Sequence, residues 1–317
     1  MAFLIAFGGV ALFIFGLKLI SGISDVLSFG KQRKTLQNLL KPTLGAYFTG
    51  MGVAGLSQSS AIVSVLAVEF VEKEIISLRS SFAIIMGANV GTTVTAQLVS
   101  LSGLSGGVIG ALASIIGLLM GLSGNSKVKS MGSSLLGVGV LFAGLSTLSS
   151  SISLISQNEF VKRFFQIENP LVLFLNGVIL TALVQSSSAI TGVMVMLAKV
   201  GLVSFKSSVY LTLGSNVGSC FIVVLLSLNK NVNARRTAYF NLIFNFLGSV
   251  IFFPLFCVLG DNLTVLFLRR QTVSRAIANF HTFFNLICSV IFLPFLNLFE
   301  KLTLIRPKER KNLLKSS

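Results

Sequence analysis

Eight stretches of the chain run for about twenty residues or more almost without charge, and an apolar helix of about that length is what crosses a bilayer. They are 42–68, 80–126, 130–158, 169–198, 207–229, 237–260 and 276–299, together with the first twenty-odd residues, which only Lys18 interrupts. Soluble domains carry about 25% charged residues. Here charged residues make up 11% and hydrophobic ones 53%, so lipid must be the solvent for most of the surface. The N-terminal stretch has neither a basic start nor a small-residue cleavage site, and is expected to stay as a span rather than leave as a signal peptide. These features predict an all-α polytopic membrane protein.

The net charge of +16 does not point to nucleic acid, because the basic residues fall between the apolar windows. Lys31, Arg33, Lys34 and Lys41 form one group; Lys230, Arg235 and Arg236 another; Arg269, Arg270 and Arg275 a third. Basic loops beside apolar helices are the signal for cytoplasmic retention, with contact to anionic membrane lipid as a further effect. Cys220, Cys257 and Cys288 lie in apolar windows and give no disulfide framework. The single histidine, His281, gives no metal cluster and reads as a structural residue on an aromatic helix face.

The chain repeats itself. A shift of 127 places Gly50, Leu56, Gln58, Ser59 and Ser60 on Gly177, Leu183, Gln185, Ser186 and Ser187. In the same register Gly87, Asn89, Val90 and Gly91 meet Gly214, Asn216, Val217 and Gly218. Identity concentrates at glycine and polar positions, the reverse of chance likeness between greasy helices. The repeat divides the chain into 1–128, 129–302 and a basic tail, 303–317. A second, local duplication relates 235–254 to 275–294 by a shift of 40, pairing Asn245 with Asn285 and Ser249 with Ser289. Interfacial helix packing is the reading given to it. The loop at 30–41 carries four basic residues and no acid, whereas 151–169 balances Lys162 and Arg163 against Glu159 and Glu168. The positive-inside rule then sets the two loops on opposite sides and inverts the repeats.

Polar clusters in the middle of apolar windows need a reason, since each unsatisfied polar group in lipid costs several kcal/mol. The stretches S-Q-S-S-A at 57–61 and Q-S-S-S-A at 185–189 sit there in register. From residue 42, sixteen residues of helix climb roughly 24 Å, past the midplane of a core about 30 Å thick. Re-entrant or broken helices turning at Q-S-S would bring hydroxyls and free amide N–H groups to mid-membrane, the arrangement of a transporter site at a repeat interface. The glycines of G-x-N-V-G would free the backbone around Asn89 and Asn216. All nine acids and the arginines lie outside these motifs. The site is therefore expected to be neutral, holding an oxyanion at helix N-termini beside co-bound cations. Alanine in place of the serines is expected to cost binding and to leave the fold alone.

At these residues the chain resembles the type II sodium–phosphate cotransporters and their bacterial members, whose repeated Q-S-S-S is followed by G-x-N-x-G-T/S. The resemblance covers roughly 1–300. It implies a sodium-coupled symporter of inorganic phosphate in the inner (cytoplasmic) membrane, with inverted repeats meeting at the midplane and alternating access around one site. It assigns phosphate to Gln58, Ser59, Ser60, Gln185, Ser186, Ser187 and Ser188, and sodium or phosphate to Asn89, Thr92, Thr93, Asn216 and Ser219. It implies no cofactor beyond Na+ as the coupling ion, no enzyme activity and no nucleic-acid partner, and is compatible with a homodimer. Three oxygens of the pattern are missing, at Ala61 (against Ser188), Ala54 (against Thr181) and Cys220 (against Thr93). An exporter of phosphate or carrier of another small oxyanion on the same fold is the alternative, and a scaffold whose polar motifs only pack helices is a third reading.

Overall fold

A computed structural model describes residues 2–21, 33–101, 106–155 and 167–303. Among them every regular element is helical. The first half runs α1 (Ala2–Ser21), α2 (Arg33–Leu40), α3 (Thr43–Ser57), α4 (Ser60–Glu72), α5 (Leu78–Gly91), α6 (Thr93–Ser100) and α7 (Gly106–Gly121). The second runs α8 (Ser126–Ile155), α9 (Pro170–Val184), α10 (Ser187–Lys199), α11 (Phe205–Gly218) and α12 (Cys220–Ser227). Two longer helices, α13 (Val232–Leu268) and α14 (Val273–Phe292), and a short α15 (Leu296–Leu302) follow. Residues 22–32 and 156–166, which hold Lys31, Glu159, Lys162 and Arg163 of the loop-charge contrast, and the tail beyond 303 lie outside the described residues.

Five stretches are long and apolar enough to cross a membrane: 78–100, 126–148, 205–227, 232–268 and 273–302. Leu4, Phe7, Leu122, Leu183, Val258 and Val265 stand exposed, while serines, threonines and asparagines are buried. An apolar exterior, with polar side chains gathered inside among the apolar core, suits a lipid solvent. The windows 42–68 and 169–198 are each two helices, of 15 and 13 residues in both cases. At 1.5 Å per residue these climb only about 22 and 20 Å, less than the core thickness.

Glycine sets how closely the helices approach. A Cβ at Gly87 would overlap the carbonyl oxygen of Tyr47 on α3, and one at Gly214 that of Phe174 on α9. Gly50, Gly91, Gly177 and Gly218 make the same kind of backbone contact in their own halves. The glycines of G-x-N-V-G are thus helical residues that seat α5 on α3 and α11 on α9, rather than the source of a loosened backbone. Gly9, Gly16, Gly137 and Gly144 pack α1 on α8 in the same way, the small-residue mode of membrane helix packing.

Polar ties fix which ends lie together. At one end of the bundle the C-terminus of α4 meets the start of α13, through Lys230 Nζ–Glu69 Oε1 (2.6 Å) and Asn231 N–H to Glu72 Oε2 (2.7 Å). Arg79, at the start of α5, bonds Asn297 near the chain's end. Elsewhere Ser274 Oγ, at the start of α14, donates to Val195 O of α10 (3.0 Å), and Lys206, at the start of α11, pairs with Asp261 far along α13 (3.0 Å).

Candidate functional site

The two Q-S-S segments break their helices identically. Gln58 closes α3 with φ 55° and ψ 23°, and Gln185 closes α9 with φ 58° and ψ 24°. The next residues, Ser59 and Ser186, are extended at φ −144° and −147°. A left-handed C-cap is ordinarily glycine's position, and a side chain there costs roughly 1–2 kcal/mol. Such strain persists where surrounding contacts hold it, typically at functional sites. At Gln58 the contacts are visible: its Nε2 donates to Gly55 O and its Oε1 accepts from Thr95 Oγ1. Gln58 is buried, whereas Gln185 is exposed. Ile222 stands in register with Thr95, so the second glutamine has no matching hydroxyl.

Each break ends one helix and begins another. Ser59 Oγ accepts from Ile62 N (3.2 Å) to cap α4, and Ser186 Oγ accepts from Ala189 N (3.2 Å) to cap α10. Both hydroxyl protons stay available for an anion. The two breaks touch: Ser188 Oγ donates to Gln58 O across the halves at 3.2 Å. The serine that departs from its counterpart Ala61 is therefore the one that joins the repeats.

A cavity of about 520 Å³ lies between them, lined by Ser57, Gln58, Ser59, Gln185, Ser186 and, from α1, Lys18. The N-termini of α4 and α10 open on it, and each carries roughly half a positive charge. Two helix N-termini, two serine hydroxyls, a glutamine amide and an ammonium group are donors of the kind an anion calls for. The rest of the lining, from Ile14 and Leu17 to Ile222 and Leu226, is apolar. Lys18 brings to this cavity a charge from a helix outside the motifs. Ser57 Oγ is buried against the cavity without a partner. Lys18, Ser57 and Thr95 were not among the expected site residues. Ser57 stood in the S-Q-S-S-A stretch and Lys18 as the single charge in an otherwise uncharged span, whereas Thr95 left no signal.

Ser60, Ser187 and Ser188 sit buried in the first turns behind the cavity. Asn89, Thr92, Thr93, Asn216 and Ser219 are buried where α5 meets α6 and α11 meets α12, and are not among the lining residues. Their side chains mostly bond their own helix: Asn89 Nδ2 to Ile85 O (2.9 Å), Thr93 Oγ1 to Val90 O (2.8 Å), Ser219 Oγ to Asn216 O (2.7 Å). Asn216 Nδ2 has no partner. Thr181 donates to Ser215 Oγ (2.7 Å), and both counterparts, Ala54 and Ala88, are buried alanines. That departure exchanges one packing pair for another.

The sequence profile of the Na+/Pi-cotransporter family matches residues 12–150 and, a second time, 151–287. The chain belongs to that family. Among the relatives of this Na+/Pi-cotransporter family member, an uncharacterized protein of Bacillus subtilis, YqeW, is 28% identical over 80% of this chain and 83% of its own length. A putative inorganic phosphate export protein of Escherichia coli, YjbB, is 29% identical over 80% of this chain, which spans only 47% of that relative. The mouse sodium-dependent phosphate transport protein 2A is 27% identical over 43% of this chain and 24% of its own length. No solved structure matches the chain. The family is one of transporters, not enzymes, and YjbB and the mouse protein are named for phosphate export and phosphate transport.

Proposed function

We propose that this chain is a sodium-coupled symporter of inorganic phosphate, binding it between the two glutamine–serine breaks. The observation that carries this reading is the single cavity that gathers both breaks, two helix N-termini and Lys18. Phosphate at neutral pH carries one to two negative charges, and donors of every kind it needs line that space. Buried charge in a membrane remains costly, so co-bound sodium lowers the cost and binding becomes mutual. The Asn-bearing segments, one layer behind the cavity, suit the cation.

Inverted repeats, 1–128 and 129–302, are supported by the end-to-end ties. The helices that leave the touching breaks, α4 and α10, finish near the starts of α13 and α14 respectively. Those two starts are separated by a 37-residue helix. The halves also differ in one respect: Gln58 is clamped and Gln185 is not. Exchange of those two states between the halves would move access from one side of the cytoplasmic membrane to the other.

Export is the second reading. The naming of YjbB as a putative inorganic phosphate export protein favours it, and Lys18 supplies fixed positive charge that a sodium-independent carrier needs. Calorimetric titration of the purified protein with phosphate separates the two. Under the symport reading affinity rises steeply when sodium replaces choline at constant ionic strength. Lys18→Gln should weaken binding about tenfold or more in either salt, since a hydrogen bond from a charged group contributes about 1.5–3 kcal/mol. Equal affinity in sodium and choline would reject coupling and favour the exporter; unchanged affinity in the variant would remove Lys18 from the site.

A further inference from the structure

The duplicated helices α13 and α14 are mates, one serving each repeat. Ser249 on α13 donates to Leu213 O of α11 (3.1 Å), and Ser289 on α14 donates to Met86 O of α5 (3.4 Å). The serines correspond by the shift of 40 and the carbonyls by the shift of 127. The mates part at their prolines. Pro294 lies in a short turn, Leu293–Phe295, and α15 follows it. Phe299 on α15 is 2% exposed and packs edge-on against Phe240 (5.1 Å between ring centres) and Phe292 (5.5 Å). At Pro254, by contrast, α13 runs on unbroken to Leu268. In the register of 40 the counterpart of Phe299 is Leu259, which is 42% exposed. One copy closes its own aromatic face and the other does not.

The unfilled place is a cleft of about 430 Å³, within the size range of ligand pockets. Phe252, the counterpart of Phe292, lines it with Phe256, Leu263 and Phe267 of the same helix and Phe283 of α14. Leu255 and Leu266, which also line it, and Phe283 are exposed on the outside of the bundle. The cleft therefore opens to lipid, and it shares no residue with the cavity between the breaks. Its two polar lining residues, Gln271 and Asn279, serve each other. Asn279 Nδ2 donates to Gln271 Oε1 (2.7 Å), Gln271 Nε2 donates to Phe267 O, and Gln97 Nε2 of α6 donates to Asn279 Oδ1 (3.3 Å). With both amides engaged by the protein, the guest that fits the cleft is apolar.

Charge gathers at its edge. Phe267 and Gln271 bracket Arg269 and Arg270, so the turn bounding the cleft carries two exposed guanidinium groups. Arg270 stands at φ 59°, where a helix end ordinarily has glycine. Arg275 follows on the first turn of α14 and donates to Ser100 Oγ (3.1 Å). No acid lies in the sequence between Asp261 and Glu300, and Asp261 pairs with Lys206 (3.0 Å). The turn joins two stretches long enough to span a membrane, which sets it at the membrane surface. An apolar cleft open to lipid, beside fixed positive charge at the surface, matches a molecule with an apolar tail and an anionic head.

We propose that an anionic glycerophospholipid binds here, with one acyl chain in the cleft and its phosphate on Arg269 and Arg270. The general attraction of basic loops to anionic lipid becomes at this turn a defined site. The lipid braces α14, which holds α10 through Ser274 Oγ–Val195 O (3.0 Å) and α6 through Gln97 Nε2–Thr282 Oγ1 (2.9 Å). The site stands apart from the ion that is carried. The test uses the purified full chain, delipidated in detergent and supplied with phosphatidylglycerol or phosphatidylcholine of identical chains. Native mass spectrometry reads the lipid retained, and thermal unfolding reads the stabilisation. Phosphatidylglycerol should be retained about tenfold or more over phosphatidylcholine, and should raise the melting temperature further. Arg269→Gln with Arg270→Gln, both exposed, should bring phosphatidylglycerol down to the phosphatidylcholine level. Leu263→Trp and, separately, Leu255→Trp fill the cleft and should cut retention of both lipids. Glycerophosphoglycerol, the headgroup without chains, should give no stabilisation. Equal retention of the two lipids by the wild type would overturn the proposal. A preference that survives the double glutamine variant would move the headgroup to another basic surface. Unchanged retention in both tryptophan variants, or stabilisation by glycerophosphoglycerol, would take the acyl chain out of the cleft.

Discussion

Replacing Ser59 and Ser186 together by alanine is expected to weaken phosphate binding at least a hundredfold and to lower unfolding stability by about 2 kcal/mol. The binding loss follows from two donors to a charged ligand at about 1.5–3 kcal/mol each, where 1.4 kcal/mol is a factor of ten. The stability loss follows from the second job of the same hydroxyls. Ser59 Oγ and Ser186 Oγ cap α4 and α10, and an N-cap serine exchanged for alanine costs typically about 1 kcal/mol. The motifs alone suggested a fold-neutral change; the caps correct that. Asparagine at the same positions retains a cap acceptor, so Ser59→Asn with Ser186→Asn should recover stability without recovering affinity. Calorimetry and thermal unfolding in detergent read the two effects separately. Near-native phosphate affinity in the double alanine variant would take the breaks out of the site.

Alanine at Gly87 or Gly214 is expected to be worse for the fold than any change in the site itself. The added Cβ meets a main-chain carbonyl, of Tyr47 or Phe174, and no flexible side chain can yield. Overpacking usually costs about 1–3 kcal/mol and occasionally more; two backbones forced apart belong at the upper end. Because α3 and α9 end at the breaks, their displacement also misplaces Gln58 and Gln185. Each variant should therefore lose thermal stability and phosphate binding together. Gly52→Ala is the control, on the same helix α3 with open space around it, and should change neither. A Gly87→Ala protein with wild-type melting and binding would show that the close approach is not needed.

Much of this was readable in the residues. Long uncharged windows announced the spans, and glutamine and serine inside them announced the breaks, because lipid leaves such groups few alternatives. The register of 127 correctly paired positions that now share backbone angles within a few degrees. What was not readable depends on contacts between distant segments. Nothing near Gln58 in sequence names Thr95 as its partner, and nothing near Lys18 says that α1 carries it to the cavity. The glycines of G-x-N-V-G look like loop residues until α3 is laid against them. The duplication at 235–294 makes sense only when Ser249 and Ser289 are seen on equivalent carbonyls.

Labelled phosphate uptake into proteoliposomes tests the account most directly. With sodium outside and potassium inside, phosphate should accumulate above its external concentration, and collapse of the sodium gradient should release it. The double alanine variant at Ser59 and Ser186, reconstituted at equal folded amount, should show uptake near the protein-free background. Accumulation that is the same with potassium outside, or that survives in the variant, would contradict a sodium-driven carrier whose site lies between the two breaks.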